Sequence, residues 1–244
     1  MKVFFNKIPL ALSSLVLALF SLSNQISQYT LFSQGIWLIA VFGFFLVLGR
    51  PIIGYRQTQE DLHNPVIASA FPSFFMAAFL FAGRLPLAQT DLSIAWIVVL
   101  IGLYIAYIIF FSLRFMHPLS LNQVFPSWFV IYVGPAISLV TVVTIPDSIP
   151  NSTKALILGL TGLATLALFP LIFWRIRRLA IPQPVLPILA ILAAPLALLI
   201  TSSIKSGQKP DTILLVGLLI FSQLFFFFAL GLFTRLVNKG FVPL

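Results

Sequence analysis

The sequence contains no cysteine and little charge. With no cysteine among 244 residues, disulfide bonds, zinc–thiolate sites and thiol catalysis are excluded. Charged residues make up 8% of the chain and hydrophobic residues 60%, so too few polar side chains exist to cover a water-soluble globule. The apolar runs are continuous rather than alternating, which favours helices over a strand-built barrel. We therefore predict an all-α integral membrane protein.

Eight apolar runs are candidate transmembrane spans, numbered here in chain order. They are Ile8 to Leu22, Leu31 to Tyr55, Val66 to Leu85, Leu92 to Leu113, Phe125 to Ile145, Ala155 to Trp174, Val185 to Ile204 and Ile213 to Val237. Their short connections leave no room for a soluble domain, so residues 1–244 are predicted to form one transmembrane domain. The first run, which follows Lys2 and Lys7, also resembles a cleaved signal peptide.

Basic residues predict the orientation of the spans, because short cytoplasmic loops are enriched in Lys and Arg. A cytoplasmic N-terminus puts ten of the 14 basic residues on that side: Lys2, Lys7, Arg50, Arg56, Arg114, Arg175, Arg177, Arg178, Arg235 and Lys239. Only Arg84, Lys154, Lys205 and Lys209 fall outside. We predict a multi-pass protein of the plasma membrane, here the bacterial inner membrane. Topology explains the net charge of +9, and no basic soluble domain is present to bind nucleic acid.

A period of about sixty residues runs through the chain. The even spans end near arginines spaced by 58, 61 and 60 residues, at Arg56, Arg114, Arg175 and Arg235. The odd spans carry prolines spaced by 63, 63 and 60 residues, at Pro9, Pro72, Pro135 and Pro195. Helices of similar length would explain the arginines but not the prolines. We predict four helical hairpins, at residues 4–57, 64–115, 122–178 and 184–238.

The prolines predict which spans are inner. Proline removes an N–H and frees a carbonyl one turn earlier, which lipid cannot satisfy, so bent helices belong against protein or water. We predict that the odd spans line a pore and that the bulkier even spans face lipid or a neighbouring subunit. The candidate pore-lining residues are Ser13, Phe71, Pro72, Phe75, Phe129, Pro135, Ser138, Pro195 and Thr201. Alternatively, each hydroxyl only bonds a carbonyl one turn back in its own helix.

Charge placement favours anions as the transported species. All five carboxylates lie at loops: Glu60, Asp61, Asp91, Asp147 and Asp211. Carriers coupled to protons or sodium generally need an intramembrane carboxylate or an organised carbonyl site, so coupled cation transport is disfavoured. A path lined by hydroxyls and aromatic rings suits an anion that binds weakly. Its predicted basic cytoplasmic mouth consists of Arg56, Arg114, Arg175 and Arg235.

Two histidines, His63 and His117, fall on predicted cytoplasmic loops. Without cysteine or a matching carboxylate they make a weak zinc site. Asn64 and Pro65 instead predict a capped helix start beside His63. Two alternatives to transport stay open: an enzyme that uses these histidines on a lipid-linked substrate, and an assembly subunit without a pore. We predict no enzyme activity, catalytic residue, metal or cofactor.

Three stretches carry a family resemblance: "HNPV", "HPLSLNQVFPSWFVIYVGPAISLV" and "LAAPLALLI". They resemble the tellurite-resistance and C4-dicarboxylate transporter (TDT) family, which includes the bacterial TehA proteins and the plant slow-type anion channels. In this pattern Pro126, Gly134 and Pro135 match the fifth helix and Pro195 the seventh. The resemblance implies ten helices in five hairpins around a central pore and a homotrimer.

The same resemblance implies transport of small anions, such as inorganic anions, sulfite, tellurite or malate. It also implies a gating phenylalanine before a proline in the ninth helix. The sixty-residue period places that proline about eleven residues past Leu244, so no residue here is assigned as the gate. We accordingly expect a chain that lacks the last hairpin of the family pattern.

Overall fold

The computed structural model describes residues 2–85, 91–117, 119–142, 150–179, 183–207 and 211–238. These residues form helices and no strand, which confirms the predicted all-α fold. In chain order the α-helices are α1 Lys2–Asn6, α2 Leu12–Gln25, α3 Thr30–Ile53, α4 Tyr55–Asp61, α5 Pro65–Ala70, α6 Ser73–Ala82, α7 Asp91–Phe115, α8 Trp128–Tyr132, α9 Ile137–Val142, α10 Asn151–Arg178, α11 Ala194–Lys205 and α12 Thr212–Asn238. Segments of 3₁₀-helix lie at Leu121–Gln123, Gly134–Ala136 and Gln183–Ala193.

The even spans form long, uninterrupted helices. Helices α3, α7, α10 and α12 have 24, 25, 28 and 27 residues. At about 1.5 Å per residue each exceeds the roughly 30 Å of a bilayer's hydrocarbon core. Only 22%, 22%, 22% and 6% of their most apolar windows are buried within the chain. Their large apolar side chains therefore point outward, as an outer layer of helices requires.

Each odd span has a proline where its α-helix begins or is interrupted. Pro9 precedes α2, Pro72 separates α5 from α6, Pro135 lies in the 3₁₀ turn between α8 and α9, and Pro195 is in the first turn of α11. In contrast, Pro170 lies inside α10 and that helix continues through it. Proline alone therefore does not decide where a helix breaks.

The number of long apolar helices differs from the number of predicted spans. Among the described residues, six helical stretches are long and apolar enough to cross a membrane, and two of them, Pro65–Ala82 and Val185–Lys205, are odd spans that contain a proline. The first predicted span is shorter, with a 14-residue helix at Leu12–Gln25. The fifth, predicted as Phe125 to Ile145, is no continuous helix over its described part, because Gly134 and Pro135 divide it. Residues 143–145 lie outside the described part of the chain.

Backbone contacts divide the chain into two compact units. Unit 1 comprises Met1–His117 and Thr141–Ser148, and unit 2 comprises Pro118–Val140 and Ile149–Leu244. In unit 1, α2 packs against both α3 and α6. In unit 2, α12 packs along the 3₁₀ segment and α11, while α10 packs against α8 and α11. In each unit, odd spans thus pack against continuous even helices.

Candidate functional site

The first interruption lies at Pro9, between α1 and α2. Here the backbone turns back by three residues, since the N–H of Leu12 donates to the Pro9 carbonyl at 3.0 Å. The carbonyl of Ile8 is thereby left without a helical N–H donor, and it accepts from the guanidinium of Arg50. The same guanidinium forms an ion pair with Asp61. Arg50, which the sequence marked only as a basic residue of the cytoplasmic side, is 3% exposed and closes this break.

The second interruption lies at Pro72, between α5 and α6. An α-helix would need the missing N–H of residue 72 to bond the carbonyl of Ala68. The hydroxyl of Tyr107, on α7, donates to that carbonyl at 2.7 Å. Two residues later, the Ala70 carbonyl accepts from the Ser73 hydroxyl at 2.8 Å. The carbonyl that proline frees is thus satisfied by a side chain from the neighbouring even helix.

Three hydroxyls meet where α2 approaches α6. Ser13 Oγ lies 2.7 Å from Ser73 Oγ, and Ser14 Oγ lies 3.1 Å from it. Ser13 also donates to the Leu10 carbonyl at 2.7 Å. With the bond from Ser73 to its own helix, these hydroxyls have four contacts but only three hydroxyl protons. One of the four contacts therefore lacks a proton at any time. The local alternative describes Ser13 and Ser73, each of which bonds a carbonyl of its own span, whereas Ser14 contacts Ser73, so the hydroxyls also join two odd spans.

The third interruption lies at Pro135, in unit 2. The Ser138 hydroxyl donates to the Pro135 carbonyl at 2.7 Å, which is again a bond within the turn. From α11, the buried hydroxyl of Ser202 donates to the carbonyl of Ala136 at 2.8 Å. A second odd span therefore supplies a donor to the backbone of this broken one.

The other candidates of unit 2 are packed differently from one another. Pro195 is buried, whereas Thr201 is exposed and its hydroxyl donates to the Ala197 carbonyl of its own helix at 2.9 Å. Phe129 is buried, and its ring centroid lies 4.8 Å from that of Phe169 on α10. The structure does not bring Thr201 and Phe129 into one cluster.

Two candidate phenylalanines of unit 1 belong to an aromatic cluster between α6 and α7. Phe71 lies 5.9 Å from Phe74 and 5.6 Å from Tyr107 by ring centroids. Phe75 lies 5.5 Å from Tyr104. Phe71 is buried and Phe75 half-buried, so these rings pack against the helix whose tyrosine caps the break. Aromatic contact and backbone capping therefore occur at one place.

Comparison with protein families identifies the chain. The SLAC1 family, described as a voltage-dependent anion channel, matches residues 5–242. The chain belongs to the SLAC1 family. This confirms the resemblance to the TDT and slow-type anion channel proteins, and it places the chain in a family of anion channels and transporters. No curated protein matches the chain in a sequence search.

The predicted basic mouth of this SLAC1-family protein is uneven. Arg56 and Arg114 are exposed, and Arg114 lies 6.0 Å from the ring of Phe110. Arg175 is buried, with 3% of its surface exposed. The side chain of Arg235 lies outside the described part of the chain. Two of these arginines are therefore placed to meet solvent or lipid headgroups, and one is directed inward.

A further arginine, Arg84, joins three spans of unit 1 at the end predicted to be outside. Its guanidinium donates to Ser23 and, at 2.7 Å, to Ser33, and it lies 5.8 Å from the ring of Trp37. Ser23 and Ser33 in turn donate to each other's carbonyls, at 2.8 and 2.9 Å. Because each hydroxyl proton is directed at a carbonyl, the serine oxygens accept from Arg84. These hydrogen bonds hold together the two ends of the turn between the first and second spans.

The histidines lie on exposed positions. His63 Nδ1 is 2.6 Å from the Gln59 carbonyl, and His117 is exposed at the end of α7. Within the described residues, no three His, Asp or Glu side chains are grouped to hold a metal ion. Asn64 Oδ1 accepts from the N–H of Val66 at 2.9 Å, which confirms the predicted cap of α5.

Sequence reasoning missed the residues that satisfy the breaks. Tyr107 and Ser202 are polar residues in apolar spans, but nothing in their spacing identifies the carbonyl that each one bonds. Asp61 was counted only as a loop carboxylate. Tyr107 reaches the Ala68 carbonyl because α5 packs against α7, and the sequence alone does not reveal that contact.

Proposed function

We propose that this protein passes small anions across the membrane along a path lined by its interrupted odd spans. The observation that carries the proposal is the contrast between the two kinds of span: each odd span has a proline where its α-helix begins or is interrupted, whereas the four even spans are continuous helices. Broken backbone at membrane depth occurs where it is buried in protein or lines a water-filled path. The donors described above show how such breaks are tolerated without exposing them to lipid.

Electrostatics support an anionic substrate that is held weakly. The odd spans contain no Asp or Glu, so no fixed negative charge repels an anion from them. The hydroxyls of Ser13, Ser73 and Ser138 already donate to backbone carbonyls, so they offer little binding strength to a passing ion. Conduction needs entry to be favourable and release to be easy, and the lack of carboxylates in the odd spans together with weak binding supports both.

The proposed substrates are inorganic anions of the chloride, nitrate, sulfite and tellurite class and C4-dicarboxylates such as malate. The proposed assembly is a homotrimer in the plasma membrane, with the N-terminus in the cytoplasm. The exposed apolar faces of the even helices support this arrangement, since Phe226, Phe227 and Phe228 on α12 are all more than half exposed in the single chain. Such faces belong against lipid or another subunit.

The absence of cysteine makes the proposal directly testable. Single cysteines replace Phe75 or Thr201 on odd spans, or Phe42 or Leu166 on even spans, in the full chain reconstituted into liposomes. We expect an anionic methanethiosulfonate reagent to reduce chloride efflux several-fold in the first pair. The second pair, at 68% and 72% exposed positions that we assign to lipid, is expected to be unaffected.

Ion selectivity is measured on the unmodified protein in the same liposomes. A potential set by valinomycin drives efflux of chloride, nitrate, sulfite or malate. The contrasting result would be a leak that is selective for potassium. We expect flux to depend on the anion supplied. Flux that follows the cation, or equal modification of odd and even positions, would contradict the proposal.

A further inference from the structure

Two arginines in the described part of the chain are buried, and only one of them has a counter-ion. Arg50 and Arg175 are both 3% exposed. Arg50 pairs with Asp61 and donates to the Ile8 carbonyl. That pair is the only salt bridge among the described residues, so Arg175 has no carboxylate partner there.

The surroundings of Arg175 satisfy its charge poorly. Its Nη1 donates to the Leu179 carbonyl at 3.4 Å, which is long for a hydrogen bond. Its Nε is buried and makes no hydrogen bond. The ring of Phe125 lies 4.8 Å from the guanidinium carbon. Arg177 and Arg178, two and three residues further on, are exposed.

The contacts around this guanidinium leave part of the cost of burying its charge uncompensated, so a further partner would stabilise it. A cation–π contact contributes about 0.5–2 kcal/mol, whereas burying an ion costs several kcal/mol. The one carboxylate in the described part of unit 2 is Asp211, which accepts from the N–H of Ile213 at the start of α12. Because spans alternate in direction, the start of α12 and the end of α10 belong to opposite membrane surfaces. Asp211 is therefore no counter-ion for Arg175.

We propose that Arg175 binds a small oxoanion through the edge formed by its Nε and Nη2. Since Nη1 is directed at Leu179, this edge is the one left for a partner, and the planar guanidinium fork matches two oxygens of a carboxylate, nitrate or phosphate. Nε is shielded from solvent, so binding requires the guanidinium to turn this edge outward. The long bond to Leu179 is a weak restraint against that turn.

The position of this site gives it a role at one end of the fifth span. Phe125, whose ring contacts the guanidinium, directly precedes Pro126 at the start of that span. An oxoanion at Arg175 therefore sits beside the broken helix on the side that we propose is cytoplasmic. Two sources share this chemistry: an oxoanion dissolved in the cytoplasm, and the phosphate of an anionic lipid headgroup. Neither source depends on conduction, so binding and flux are separable.

Binding is tested on the full chain in zwitterionic detergent, with inorganic phosphate replacing chloride at constant ionic strength. We expect phosphate to raise the thermal unfolding midpoint of the unmodified protein and of Arg177→Gln more than that of Arg175→Gln. The Arg177→Gln variant is the matched control, because it removes one positive charge two residues away at an exposed position. An equal response in all three proteins would overturn the proposal.

A second variant and a lipid arm complete the test. Arg175→Lys keeps the charge but loses the fork, so we expect a smaller phosphate response, and a full response would overturn bidentate binding. The same variant carries the test if Arg175→Gln fails to fold. In native mass spectrometry, phosphatidylglycerol retained by the unmodified protein and lost from Arg175→Lys would identify the lipid as the source. A phosphate response without such retention would identify the dissolved ion as the source. Anion flux is measured separately, so failure of the Arg175 proposal would leave the proposed function standing.

Discussion

The hydroxyl of Tyr107 donates to the backbone carbonyl that Pro72 leaves without a helical N–H, and removing this hydroxyl should lower the free energy of unfolding. The donor–acceptor distance to the Ala68 carbonyl is 2.7 Å, which is good hydrogen-bond geometry. Tyr107→Phe keeps the ring and its contacts with Phe71 and Phe75 but leaves the carbonyl without this donor. The free energy of unfolding should fall because a buried acceptor loses its partner.

The magnitude follows from the cost of an unpaired buried group. An unsatisfied buried acceptor costs about 1–3 kcal/mol in proteins. Hydrogen bonds between transmembrane helices contribute on average roughly 0.6 and at most about 1.7 kcal/mol to the free energy of unfolding. We therefore expect Tyr107→Phe to lower the free energy of unfolding by about 1–1.5 kcal/mol.

A double-mutant cycle with Pro72→Ala isolates this bond. Alanine restores an N–H that can donate to the Ala68 carbonyl, so Tyr107→Phe should cost about 1 kcal/mol less in that background. Unfolding is followed by circular dichroism during titration with sodium dodecyl sulfate in mixed micelles. Tyr29→Phe, at an exposed position, is the control and should cost less than about 0.5 kcal/mol. Strict additivity of Tyr107→Phe and Pro72→Ala would refute the capping role.

Two further predictions concern packing and charge in unit 1. A Cβ at Gly43 would lie 2.9 Å from Val16 Cγ2 whereas one at Gly35, on the same helix, meets nothing within 4 Å. In the same titration, Gly43→Ala should therefore destabilise by about 1–3 kcal/mol and Gly35→Ala should not destabilise. Asp61→Asn removes the counter-ion of a buried guanidinium and should cost about 1.5–3 kcal/mol, against less than about 0.5 for exposed Glu60→Gln. Equal effects within either pair would contradict the stated contact.

The positions of the broken helices were partly predictable from the sequence. The sixty-residue spacing singled out Pro9, Pro72, Pro135 and Pro195, and the structure has an interruption at each. Pro170 shows why such a prediction has limits, because α10 continues through it. At Pro72 the donor that satisfies the freed Ala68 carbonyl is Tyr107, which lies on another helix. A single-span pattern contains no information about it.

The chemistry of individual side chains was less predictable than the fold. The sequence suggested that the serines of the odd spans either line a path or bond their own helices, and Ser138 and Thr201 do the second. It gave no reason to expect the contact of Ser13 with Ser73, sixty residues away. Hydropathy also treated Arg50 and Arg175 alike, as basic residues near span ends, although among the described residues only Arg50 has a carboxylate partner.

By itself the sequence determined that this is a helical membrane protein of the SLAC1 family, because composition and apolar run length fix the solvent in which the chain folds. It also determined that the odd spans differ from the even ones, because proline has no N–H wherever it stands. Only the tertiary structure decided which side chains donate to backbone carbonyls near these prolines: Arg50 to Ile8, Tyr107 to Ala68 and Ser202 to Ala136. These bonds join residues far apart in the chain, and only packing brings them within hydrogen-bonding distance.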